Sequence, residues 1–197
     1  MWEHTYKCIE KNINMSDKII LPMSAFEELI KIEIEYPMLF QLTFNNKTTH
    51  CGVLEFTAPE GSVLIPKWMM TNLELKNNSL VSIKNISLPK ATYVKFKILT
   101  SDFWKYNNFR SILENTLCKY TCLTKNDIIS INYQNNDYQF QIIELQPNDA
   151  VSIVETDCNV DFEEQKTVLS SQSRIGNKYS SNIRRLTTPF YGKGNKL

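Results

Sequence analysis

The sequence predicts a mainly β fold with a mixed α/β second part. Three observations predict it. Between Tyr36 and Leu99 short apolar runs alternate with polar positions and are separated by turn residues. From Phe109 the spacing switches to that of a helix, and a hairpin follows. After Glu164 apolar residues thin out and Ser and Asn take over.

The elements follow in order. The stretch before Asp17 is polar and is read as an extension. In Ile19–Ile34, Ser24 and Glu27 have the spacing of a capping box, and Ala25, Leu29 and Ile32 keep helical spacing. Pro37 disfavours helix at Tyr36, so this helix must be short. MLFQLTF and THCGVLEF flank a polar turn at Asn45-Asn46-Lys47, and Pro59-Glu60-Gly61 turns the chain into SVLIP. Lys67–Leu73 is a short helical candidate rich in bulky apolar residues. LVSIKNISL and TYVKFKIL alternate as half-buried strands do, and strands at this spacing suggest a barrel or sandwich. In the second part Phe109, Ile112, Leu113 and Leu117 mark a helix. DIISINY and YQFQIIEL flank a four-residue turn at Gln134–Asp137, with Ile129 and Ile131 facing Tyr138 and Phe140. VSIVETDCNVDF is the last strand.

With 197 residues and a hydrophobic fraction of 42%, the chain can bury one core or two small ones. No run approaches the roughly 20 apolar residues of a membrane helix, and the N-terminus has no apolar leader. The five cysteines are odd in number and irregular in spacing, which fits reduced thiols in the cytosol or nucleus better than a disulfide scaffold. Charge is unevenly divided. Seven of the 22 basic residues and none of the 21 acidic ones lie from Lys166 onward, so the body carries −6 and the tail +7.

Catalytic signatures are scarce. Neither GxxxxGK[ST] nor GxGxxG occurs. His50 and Cys51 are adjacent, but neighbours in a strand point to opposite faces, so they make a poor nucleophile pair; a buried Cys and a surface or edge His is the better reading. Cys118 and Cys122 could be half of a zinc site, but no second half has suitable spacing, so buried core thiols are expected. Glu27-Glu28 and Glu163-Glu164 read as solvated faces. The basic tail could bind nucleic acid, yet it lacks regular aromatic interleaving, and a solvated linker is the better reading. No cofactor, metal site or catalytic residue is expected. A thiol-dependent enzyme and a nucleic-acid binder remain as alternatives.

The tail ends in FYGKGNKL, an F-x-G-x-G-x-x-L pattern. Phe190 and Leu197 can fill two pockets of a partner, Gly192 and Gly194 let the backbone come close, and Lys193 and Lys196 favour an acidic surface.

Six blocks carry a resemblance. They are YPMLFQL (Tyr36–Leu42), THCGVLEF (Thr49–Phe56), EG…LIPKWMM (Glu60–Met70), ATYVKF (Ala91–Phe96), YTCLTKNDIISINY (Tyr120–Tyr133) and AVSIVETDCNVDF (Ala150–Phe162). In this order, from about Ile19 to Phe162, the chain resembles the N-terminal domain of the Ufd1 family, cofactors of the Cdc48/p97 AAA+ ATPase. The resemblance implies a double-psi β-barrel subdomain followed by a smaller mixed α/β subdomain. The expected division is an N-terminal extension at 1–18, the barrel at 19–99, the α/β subdomain at 100–164, a basic linker at 165–189 and an SHP-type unfoldase-binding motif at 190–197.

It also implies a non-catalytic adaptor. Such an adaptor binds polyubiquitin on the folded body and the unfoldase N domain through Phe190, Gly192, Gly194 and Leu197. It pairs with Npl4 and presents tagged proteins for proteasomal degradation, in the cytoplasm and nucleus and partly at the ER surface. The family's Npl4-binding segment lies downstream of the SHP box and is expected to be missing from this chain. Neither nucleic-acid binding nor membrane insertion is implied. The resemblance does not place the ubiquitin-binding residues; of Trp68, Met69 and Met70, at least two are expected in the core.

Overall fold

A computed structural model describes residues 2–12, 16–106 and 108–163 of the chain. Two β-rich subdomains follow one another. The first contains β1 (Glu3–Lys11), β2 (Lys18–Pro22), α1 (Met23–Leu29), β3 (Leu39–Phe44), β4 (Lys47–Ala58), β5 (Ser62–Pro66), α2 (Lys67–Asn72) and β6 (Leu80–Ile86). Its six strands close into a barrel in the order β1-β5-β2-β4-β3-β6. The pairs β1–β5 and β2–β4 are parallel, while β1–β6, β2–β5, β3–β4 and β3–β6 are antiparallel. This is the double-psi β-barrel. Phe40, Leu42, Ile65, Met69 and Ile83 are among the side chains that fill its interior.

The expected boundaries shift at both ends of the barrel. Residues 3–11 are a full barrel strand rather than an extension, lying between β5 and β6. Trp2, Tyr6 and Cys8 point inward, and the Trp2 ring meets Phe40 edge-on at 5.7 Å. At the other end, the strand at Tyr93–Ile98 (β7) leaves the barrel and pairs within the second subdomain.

Local signals met mixed outcomes. The turn after β3 is a two-residue loop with Asn45 at φ 52°. In the turn before β5, the Ser62 N–H donates to the Pro59 carbonyl at 3.0 Å, and Gly61 takes φ 73°, a conformation costly for a residue with a Cβ. The capping box does not form. Pro22 occupies the N-cap, so Ser24 lies inside α1, and its hydroxyl donates instead to Glu60 Oε2 at 2.5 Å. Helix α1 ends at Leu29, well before Pro37, which leaves Ile32 outside it and exposed.

The second subdomain adds a 3-10 turn (Ser101–Lys105), α3 (Phe109–Leu117), β8 (Cys122–Thr124), β9 (Ile128–Tyr133), β10 (Asn136–Gln146), β11 (Ala150–Ser152) and β12 (Asn159–Phe162). A four-stranded sheet runs β12-β7-β10-β9, and β11 pairs with β8. Helix α3 buries Ile112, Leu113 and Leu117 as its spacing predicts. The hairpin turn is tighter than expected: Tyr133 pairs with Asn136, and Gln134 and Asn135 both take positive φ, the signs of a type I′ turn. Phe103 packs edge-on against Phe140 at 4.8 Å at the centre of this core. Trp68 at the start of α2 touches both cores.

Because β1 closes the barrel, its anchor should matter. Trp2→Ala is expected to cost about 3–5 kcal/mol in urea denaturation. A variant as stable as the parent would show that this strand is dispensable.

Candidate functional site: an apolar groove at the subdomain seam

Two polar clusters join the subdomains. The first is built on Asp17, just ahead of β2, which is wholly buried. Its carboxylate accepts the backbone N–H groups of Thr121 and Cys122 at 2.9 Å, the Thr121 hydroxyl at 2.6 Å and the Cys122 thiol at 3.4 Å. A buried carboxylate is costly unless donors surround it, and here every contact is a donor. Burial pushes the Asp17 carboxyl above its usual range, and the bonds from Thr121 and Cys122 pull it back. On the barrel side Gly52 of β4 lies flat against Thr121. A Cβ there would stand 2.6 Å from the Thr121 hydroxyl, so the close approach requires glycine.

The second cluster lies further along β4 and β8. The Thr49 hydroxyl donates to Asp127, and the His50 N–H donates to the Thr124 hydroxyl at 3.1 Å. The His50 ring Nδ1 lies 2.9 Å from that same hydroxyl. Burial lifts the Asp127 carboxyl to about 7, against hydrogen bonds from Thr49, Asn72 and Thr124, and lowers the His50 imidazole to about 4. Trp68 adds a further tie: its indole N–H donates to the Ser16 carbonyl at 3.0 Å within the barrel, and its ring lies 6.1 Å from that of Tyr120 across the seam.

Beside the first cluster the surface opens into a groove of about 350 Å³. Phe26 of α1 and Phe56 of β4 form one wall, with ring centroids 5.0 Å apart. Tyr36 and Pro37 form the mouth, and Tyr36 is 77% exposed. Val53, Gly52 and Thr121 line the part nearest the seam, and Lys18 contributes a cation. The groove is therefore built from both subdomains, and the Asp17 cluster holds its Thr121 side in place.

The candidate residues of the sequence fall as follows. Phe190, Gly192, Gly194 and Leu197 lie outside the described residues. Cys51 is buried, with its thiol pushed well above its ordinary value, and His50 bonds to Thr124 rather than to it. The expectation of a surface or edge His50 is corrected: the seam covers it. Cys118 is exposed at the end of α3, whereas Cys122 is buried on β8, so the two thiols are not on one helix face and only one is in the core. Among the described residues no group of three or more His, Cys, Asp or Glu could hold a metal, and no helix is long and apolar enough to cross a membrane. Met69 and Met70 are buried, as expected of two of the three. Glu28 accepts a bond from the Trp2 indole and pairs with His4 at 2.7 Å. Glu163 pairs with Lys97 at 2.8 Å, and residue 164 lies outside the described residues. Sequence reasoning missed the groove and the Asp17 cluster. The signal for Asp17 was a lone acid before an apolar strand, too common to single out.

Two family models match the chain: ubiquitin fusion degradation protein UFD1, N-terminal subdomain 1, over residues 2–89, and subdomain 2 over residues 90–165. The chain belongs to the Ufd1 family. The border between the two matches falls between β6 and β7, where the barrel hands over to the second sheet. Among Ufd1-family relatives, the chain is 46% identical over 154 residues to the human ubiquitin recognition factor in ER-associated degradation protein 1 (77% of this chain, 50% of that protein). It is 45% identical over 153 residues to the ubiquitin fusion degradation protein 1 homolog of Dictyostelium discoideum (77% and 46%). It is 38% identical over 154 residues to ubiquitin fusion degradation protein 1 of Saccharomyces cerevisiae (76% and 43%). The chain thus spans about half the length of these relatives.

The second cluster makes a pH prediction. Asp127 titrates near 7 when folded against an ordinary 3.8, so between these values the folded state keeps a proton that the unfolded state has lost. Its contribution to stability falls as pH rises through that window. His50 titrates near 4 against an ordinary 6.5, so its contribution rises with pH over 4–6.5. The two slopes oppose each other. Asp127→Asn should leave stability climbing between about pH 4 and 6.5 by up to about 1.4 kcal/mol per pH unit, and His50→Asn should leave it declining. Chemical denaturation across that range checks both; curves parallel to the parent's for both variants would contradict the assignment.

Proposed function

We propose that this chain is a non-catalytic, ubiquitin-binding adaptor that brings polyubiquitinated proteins to a Cdc48/p97-type AAA+ unfoldase for extraction and proteasomal degradation. The observation that carries this reading is the match of both subdomains, across residues 2–165, to proteins named for ubiquitin recognition and ubiquitin fusion degradation. The folded body takes ubiquitin. The octapeptide Phe190–Leu197 takes the N domain of the unfoldase, with Phe190 and Leu197 as anchors and Gly192 and Gly194 allowing close approach. Npl4 is the expected companion, engaged in relatives by sequence downstream of this motif. The relatives named for ER-associated degradation support work at the ER surface, and the cytoplasm and nucleus complete the proposed setting.

A non-catalytic role is supported by the state of Cys51, next to His50 in the chain, and of Cys122, both buried. Burial raises Cys51 and Cys122, which disfavours the thiolate that a nucleophile requires. Weak affinity for a single ubiquitin and stronger retention of chains are expected, because linked ubiquitins raise the effective concentration.

Calorimetry with the isolated unfoldase N domain tests the tail. The parent chain should bind, and Phe190→Ala should bind at least about tenfold more weakly, or about 1.4 kcal/mol. Equal binding by both would remove the motif from the account. No binding by either would remove the unfoldase.

A further inference from the structure

The second subdomain leaves one sheet edge unguarded. Its sheet runs β12-β7-β10-β9, so β12 and β9 are the two edges. A free edge strand presents a row of unpaired backbone groups, and folds blunt it with short length, charge, proline or a bulge. Strand β12 is guarded in this way: it has four residues, carries Asp161 and is followed by Glu163. Strand β9 has six residues, IISINY, with no charge and no proline, and its pairing with β10 runs without a register shift.

The hairpin register says which groups are free. Tyr133 and Asn136 close a two-residue loop, so Ile129, Ile131 and Tyr133 turn their backbone N–H and carbonyl groups toward β10. Ile128, Ser130 and Asn132 turn theirs to the open side. Gln139, the partner of Ser130, follows the same alternation. Its N–H donates away from β9 to the Thr100 hydroxyl at 3.1 Å, and its carbonyl accepts the Leu99 N–H at 2.9 Å. On the open side of β9 the Ile128 carbonyl accepts from the Asn72 side-chain amide at 3.3 Å. The backbone N–H and carbonyl groups of Ser130 and Asn132 have no partner among the described residues. Ser130 is half-buried and Asn132 is exposed.

Free groups placed evenly on either side of Ile131 are self-complementary. We propose that β9 is the contact through which this chain pairs with a second copy of itself, antiparallel about a twofold axis at Ile131. Ser130 then lies opposite Asn132 of the second copy, and Asn132 opposite its Ser130, each pair exchanging both N–H···O bonds. This register fills all the free groups and disturbs none already taken. An axis at Ser130 would call on the Ile128 carbonyl that Asn72 occupies, and an axis at Asn132 would call on Gln134, which is in the turn at φ 51°. Charge favours the copy as occupant. A twofold axis sets each side chain near its own image, and β9 carries no charge to repel that image. The two four-stranded sheets would join into one that ends at both sides in a guarded β12, so association closes at two copies. Such a dimer offers two of every binding site on the chain to a multivalent partner.

Sedimentation equilibrium of the whole chain, loaded from about 10 μM to about 1 mM because a contact of small area is weak, tests this together with amide hydrogen exchange. A monomer–dimer equilibrium is expected, and exchange at the Ser130 and Asn132 amides should slow at least about tenfold across that range. Ser130→Pro removes one outward N–H from each copy, a change that an edge strand tolerates, and should weaken the dimer at least about tenfold. Ser130→Lys keeps every backbone group, so it serves even where proline unfolds the strand. It should weaken the dimer at low salt and regain it at about 1 M, where the screening length falls to about 3 Å. A chain that stays monomeric throughout, a dimer that Ser130→Lys leaves intact, or a dimer in which the Ser130 and Asn132 amides gain no protection would each overturn the proposal. So would association that grows past two copies. The adaptor reading stands or falls separately, on the calorimetry above.

Discussion

The carboxylate of Asp17 is the constraint on which the arrangement of this protein rests. It stands at the entrance to β2, the barrel strand between β5 and β4, and accepts four donors from the entrance to β8. A bare carboxylate in that position would be a large penalty, so the second subdomain is held where its donors can reach it. Gly52 then allows Thr121 to lie against β4, and Trp68 spans the two cores. The Thr49–Asp127 and His50–Thr124 contacts extend the same seam along β4. Two subdomains with separate cores thereby act as one body, and the groove formed by Phe26, Tyr36, Phe56 and Thr121 inherits its shape from that junction.

Local pattern revealed much of the fold, because local forces made it. The hairpins flanking Asn45 and Gln134, the helix at Phe109 and the apolar α2 follow from turn chemistry and periodicity. The barrel's topology did not follow from them. Its parallel pairs β1–β5 and β2–β4 join segments dozens of residues apart, and alternation says which face a strand buries but not which strand lies beside it. Only the resemblance supplied that order. The first strand carried a usable signal, since Trp2, Tyr6 and Cys8 alternate, but the charged residues between them masked it. Ser24 shows the opposite error: its capping spacing is sound, yet Pro22 moved the helix start and Glu60 from a distant turn took the hydroxyl.

The candidate site was the least legible part, for a physical reason. The groove draws on residues at 18, 26, 36, 53, 56 and 121, which only tertiary packing brings together. Tyr36 comes to the exposed mouth of the groove because α1 ends at Leu29 and β3 begins only at Leu39. The tail motif is the reverse case. Its information is local, so the sequence displays it in full, while its meaning depends on a partner. The proposed division of labour follows the charge division of the chain, with an acidic body presenting an apolar groove and a basic tail ending in aromatic and aliphatic anchors.

The Asp17 junction is expected to make one cooperative body of the two subdomains. Native-state hydrogen exchange at the Thr121 and Cys122 amides, both of which donate to Asp17, tests it most directly. If the claim holds, these two amides exchange only through global unfolding, with protection within about tenfold of the most protected barrel amides in β3 and β6. Exchange orders of magnitude faster than the barrel core, under conditions where both subdomains stay folded, would show that the seam opens on its own and that the junction does not unite the two subdomains.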